Sequence, residues 1–92
     1  MLNANESMSK KEKLIKRFKA LPKDFTFDEI VRLLVYLGFD EMATGKTAGS
    51  RVRFCNISLQ IVVFFHKPHP GNIMCESALK EICKKMIDSK LI

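Results

Sequence analysis

The chain has 92 residues, 47% of them hydrophobic, enough for one domain with a small core. Its longest apolar runs fall short of the ~18 residues a membrane helix needs, and the polar stretch Met1–Lys13 lacks the apolar centre of a secretory signal. The net charge of +6 is local: Lys10, Lys11, Lys13, Lys16, Arg17, Lys19 and Lys23 stand against Glu12 alone, and the rest of the chain is neutral.

Such a basic block suits either an acidic partner such as nucleic acid or a solvated helix face. Residues 1–8 are expected to be a disordered lead. Ser9 and Glu12 then make an S-x-x-E capping box, and Leu14, Ile15, Phe18 and Leu21 recur at helical spacing until Pro22. The spacing predicts a helix over 9–21. Thr26 and Glu29 repeat the start signal, and Phe27, Ile30, Val31, Leu34 and Leu37 carry a second helix that Gly38 ends from the left-handed C′ position.

Beyond Gly38 the period falls to two. A first strand is expected within 39–45. In 50-SRVRF-54, Val52 and Phe54 point one way and Arg51 and Arg53 the other. A third strand is expected over 59–66, with Leu59, Ile61, Val63 and Phe65 on one face and Gln60, Val62, Phe64 and His66 on the other. That second face is half apolar, which requires a cover or a partner. The prolines of 67-KPHPGN-72 make a loop, and a last helix spans 76–88. The order α-α-β-β-β-α predicts an α+β fold, a three-stranded antiparallel meander with its helices on one face.

Gly45-Lys46-Thr47 resembles the tail of a phosphate-binding loop. Asp40 stands where the first glycine of that motif belongs, and a strand rather than a helix follows, so a nucleotide site is excluded. What remains is a glycine-rich strand entrance where Lys46, Ser50, Arg51 and Arg53 offer donors to phosphate oxygens, with Arg51 and Arg53 ~6.6–7 Å apart along the strand. The three cysteines, an odd number, argue for reduced thiols in a cytoplasmic protein. Cys55, Cys75, Cys83, His66 and His69 lack the spacing of a zinc site, so no metal is expected.

Three stretches, 22-PKDFTFDEIVRLLVYLGF-39, 45-GKTAGSRVRF-54 and 66-HKPHPGNI-73, together with 78-ALKEICKKM-86, resemble the HicA family of toxin–antitoxin systems. The likeness runs over about residues 22–88 and leaves residues 9–21 as an N-terminal helical extension of a single domain, 9–92. It implies an α-β-β-β-α fold similar to double-stranded-RNA-binding domains. It also implies an endoribonuclease that cleaves mRNA and stops translation without a metal or other cofactor, and a HicB-like antitoxin that blocks the site. In the family a histidine commonly follows the glycine-serine turn. Here Arg51 follows Gly49-Ser50, while the family's later His-Pro is present as His69-Pro70.

Metal-free RNA cleavage needs a general base, a general acid and a cation for the charge on the phosphate. His66 and His69, the chain's two histidines, are the candidates for proton transfer. Arginine is far too weak a base for that task but holds phosphate well, which assigns Arg51 and Arg53, with Lys46 and Ser50, to the phosphate. A catalytically weak or inactive RNA-binding module of the same fold fits the missing histidine, and a protein-interaction domain fits the half-apolar sheet face.

Overall fold

The computed structural model describes residues 8–45 and 49–92. Most of the expected disordered lead, and Lys46 at the strand entrance, lie outside the described residues. Helices α1 (Lys10–Lys19), α2 (Phe27–Tyr36) and α3 (Glu76–Asp88) surround one face of a sheet made of β1 (Asp40–Met42), β2 (Arg51–Asn56) and β3 (Ile61–His66). The strands run in the order β1-β2-β3, antiparallel throughout. This is the α+β meander that the change of period predicts.

One core joins all three helices to the sheet. Leu14 and Phe18 come from α1, Ile30, Leu33 and Leu34 from α2, and Leu79, Ile82 and Met86 from α3. They close on the inward residues Phe54, Val63 and Phe65, with the Phe54 and Phe65 rings stacked at 5.7 Å. Phe18, Phe25, Ile30, Leu33 and Leu34 are fully buried, so α1 is part of the core and not an appendage. Burial of that many large apolar side chains is the main favourable term in a chain of this size.

Capping sets where the helices begin. At α2 the box is complete: Thr26 Oγ1 accepts from the Glu29 amide, and the Glu29 carboxylate accepts from the Thr26 amide at 3.0 Å. At α1 it is half made. Ser9 Oγ accepts from the Glu12 amide, but the Glu12 carboxylate meets the Ser9 hydroxyl rather than its backbone N–H. Helix α1 also stops at Lys19, two residues before the expected end, because Leu21 turns left-handed at φ 51°.

The β2–β3 turn is the other difference. Strand β2 runs on through Cys55 and Asn56, and β3 starts at Ile61 instead of Leu59. Ile57 and Leu59 are 71% and 51% exposed turn residues despite their apolar side chains. Asn56 fixes this turn: its Oδ1 accepts from the Leu59 amide at 3.0 Å, while its Nδ2 donates to the Leu37 carbonyl at 3.1 Å. The side chain passes so close to Gly38, at φ +91°, that a Cβ there would stand 3.0 Å from Nδ2. Gly38 thus serves both the helix end and the approach of Asn56.

Candidate functional site

The loop between β3 and α3 is held at both ends. The Lys67 amide donates to the Ser50 carbonyl at 2.8 Å, which joins the loop's start to the entrance of β2. At its far end the Phe27 amide donates to Asn72 and the Met74 amide to Phe25, a two-residue antiparallel bridge around Thr26 and Ile73. Buried Met74 anchors it in the core. His69, joined to Pro70 by a cis peptide bond, sits between these fixed points.

This anchoring gathers Ser50, His66, Lys67, His69, Ile73 and Cys75 around one open depression of ≈ 410 Å³. Both histidines are exposed, and Ser50 Oγ lies 3.4 Å from His66 Nδ1. Lys67 reaches along the wall, its Nζ 5.4 Å from the centre of the Phe27 ring. The depression therefore holds two imidazoles and a hydroxyl with Lys67 in its wall, groups that suit proton transfer next to a bound anion.

The arginines stand beside this depression, on the broad face of the sheet. Register sets Arg51 opposite His66 and Arg53 opposite Phe64, so all four side chains leave the same face. The helices pack on the other face. The Arg51 guanidinium lies 4.4 Å from the centre of the Phe64 ring, a cation–π contact, and Phe64 remains 47% exposed. Arg53 is half-buried, and its Nε is covered with no hydrogen-bond partner among the described residues. Of the residues read from the sequence, Ser50, His66 and His69 share the depression, while Arg51 and Arg53 form a neighbouring cationic shelf.

The family model describing the HicA toxin of bacterial toxin–antitoxin systems matches residues 27–86, well over half of the chain. The chain belongs to the HicA toxin family. It matches no curated protein and no solved structure. Membership makes it the toxin of a toxin–antitoxin pair, with an antitoxin as its partner. No helix among the described residues is long and apolar enough to cross a membrane.

Two residues of this HicA site escape the sequence reading. Lys67 stands next to His66 in the chain but gains its place only through the Ser50 contact. Cys75 occupies the N-cap position of α3, exposed at the rim, with Sγ 3.0 Å from Ser77 Oγ. The Ser77 hydroxyl, with the first-turn amides of Ala78 and Ser77, favours the thiolate and lowers the Cys75 pKa. The acidic Glu76 at the head of the amphipathic run marks the helix start and places Cys75 just before it. All three cysteines are free, and no group of three or more His, Cys, Asp or Glu among the described residues is placed to hold a metal ion.

Proposed function

We propose that this HicA toxin is a metal-independent endoribonuclease that cleaves mRNA and inhibits translation, and that a HicB-like antitoxin covers its cleft. The observation that carries this reading is the pair of exposed imidazoles, His66 and His69, around one depression beside the Arg51 shelf.

RNA supplies its own nucleophile. One imidazole removes the proton of a 2′-hydroxyl, and the oxygen attacks the adjacent phosphorus. The bond to the 5′-oxygen breaks as the other imidazole protonates that oxygen, leaving a 2′,3′-cyclic phosphate and a free 5′-hydroxyl. Lys67 and Arg51 stabilise the charge that builds on the non-bridging oxygens. Ser50 holds His66 through Nδ1. Arg53 and Lys46 extend the hold on the strand. Arg51, standing where the family commonly has a histidine, binds phosphate rather than moving protons, which leaves proton transfer to the two histidines.

Purified protein incubated with single-stranded RNA and a chelator is expected to give cyclic-phosphate ends, and expression alone to arrest growth. His69→Ala is expected to lower the rate by ~10²–10⁴. Full cleavage and full toxicity in that variant would remove His69 from the mechanism. The arginine after Gly49-Ser50 and its stacking on Phe64 favour a second reading, an RNA-binding module without catalysis. RNA that is bound but stays intact supports that reading.

A further inference from the structure

A larger depression than the histidine cleft lies between α1 and α2. It has a volume of ≈ 540 Å³ and is lined by Lys10, Lys13, Leu14 and Arg17 from α1 and by Arg32 and Tyr36 from α2. A second depression of ≈ 590 Å³ adjoins it, shares Lys13 and Arg17, and adds Lys16. No carboxylate lines either one. The family match begins at residue 27, so most of this surface belongs to the N-terminal extension.

All but one of the charges here are available. Arg17 is committed, since its guanidinium pairs with Glu29 at 2.7 Å and Asp24 at 3.2 Å. Lys10, Lys13, Lys16 and Arg32 make no ion pair among the described residues. Glu12, the one acidic residue of α1, is turned to Ser9 at the helix start. Lys10, Lys13 and Arg17 follow one another at i, i+3 and i+7, one face of α1, at steps of roughly 4.5 and 6 Å along the axis. Such steps suit the successive phosphates of a flexible single strand. Tyr36, 36% exposed, adds an aromatic plane on which a base can stack.

The groove and the cleft meet the same segment of chain. Arg17 binds Glu29, Glu29 caps Thr26, and Thr26 is bridged to Ile73 on the cleft wall. A chain of contacts through the first turn of α2 thus links the two.

We propose that the groove between α1 and α2 is a second RNA site, which holds the phosphate backbone of the strand whose scissile bond lies in the cleft. The proposal rests on RNA being the ligand of the cleft. Single-stranded RNA is the occupant because the surface offers four unpaired cations, Lys10, Lys13, Lys16 and Arg32, and an aromatic ring, with no carboxylate in its lining.

The test is a salt titration of binding to a labelled single-stranded RNA 20-mer, with His69→Ala as the parent so that the strand stays intact. Each phosphate contact on a single strand contributes about 0.7 to the slope of log affinity against log salt. Adding Lys10→Ala, Lys13→Ala and Arg32→Ala together is expected to reduce the slope by about 2 and the affinity at 0.1 M salt by about a hundredfold. Lys80→Ala, Lys84→Ala and Lys90→Ala together remove the same charge elsewhere and are expected to leave the slope nearly unchanged. Circular dichroism checks that both sets fold; all six side chains are exposed.

A groove variant with the parent's slope and affinity overturns the proposal while leaving the cleft reading intact. Equal losses in both sets also overturn it, since net charge alone would then be responsible. A groove variant that keeps RNA but loses the antitoxin assigns the surface to protein and overturns it too. A parent that binds no RNA rejects the cleft reading and this inference together.

Discussion

At the residue scale, Asn56 and Cys75 carry consequences that their positions in the chain do not announce. Asn56 is 6% exposed and spends both ends of its amide on backbone groups of two different elements. Asn56→Leu leaves the Leu37 carbonyl and the Leu59 amide without their partner, which typically costs ~1–3 kcal/mol per orphaned group. Urea denaturation is expected to show a loss of ~1–3 kcal/mol, mostly from the buried Leu37 carbonyl, since water reaches the exposed turn at Leu59. Cys75 and Cys83 differ in the opposite sense to each other: Ser77 lowers the pKa of the exposed Cys75, while burial raises that of Cys83. Iodoacetamide at neutral pH is expected to label Cys75 well before Cys83 in the folded chain, with mass spectrometry as the readout. Equal labelling would show that neither environment acts as described. The histidines were legible from composition, because there are two and one lies between prolines. Lys67 was not, because its place comes from the tertiary contact with Ser50, and Cys75 was not, because its place at the cleft rim depends on how the β3–α3 loop is anchored.

At the scale of elements, the contact between α1 and α2 centres on Arg17 and Glu29. Arg17 Nε and Nη2 both donate to the Glu29 carboxylate, at 2.7 and 3.1 Å. That hydrogen bonding, with the Thr26 amide adding to it and desolvation opposing it, holds the Glu29 pKa down to about 2 and raises that of Arg17. A carboxylate depressed on folding stabilises the fold above its unfolded pKa of ~4.3 and loses that contribution as the pH falls towards 2. Glu29→Gln keeps a capping side chain but removes the charge. Because Arg17 is 37% exposed, solvent screens the pair, and the expected loss at neutral pH is only ~1 kcal/mol. Chemical denaturation of both proteins from pH 7 to pH 2 is expected to show that difference closing below about pH 4. A difference that persists unchanged to pH 2 would assign the effect to packing. The start of α2 was legible to the residue because Thr26 and Glu29 satisfy each other locally. The start of β3 was not, because Leu59 reads as a strand residue until Asn56 captures its amide in the turn.

For the molecule as a whole, the family match and the core begin in different places. The match starts at residue 27, whereas Leu14 and Phe18 are buried and Phe18 has no exposed surface. Phe18→Ala is therefore expected to cost ~3–5 kcal/mol, a large part of the stability of so short a chain. Removing residues 1–20 is expected to abolish cooperative thermal unfolding. A truncated chain that still melts sharply would show that the remaining helices close over the gap. The fold class was legible because the apolar period changes from helix to strand at Gly38 and back to helix at residue 76. The separation of the arginines from the histidine cleft was not, since it depends on strand register and on the lean of Arg51 towards Phe64.

The two borders of the sheet narrow the ways in which another chain can dock. One border is a strand of three residues, and along the other Lys85 donates to the Val62 carbonyl. The first is too short for a visiting strand to zip onto, and on the second a lysine already takes one of the outward carbonyls. A ladder extended sideways reads backbone alone, so the selectivity of a binding protein is expected to come from side chains that read the broad face. Mutational escape from such a protein is then expected to cluster at Arg51, Arg53 and Phe64 rather than along the rims.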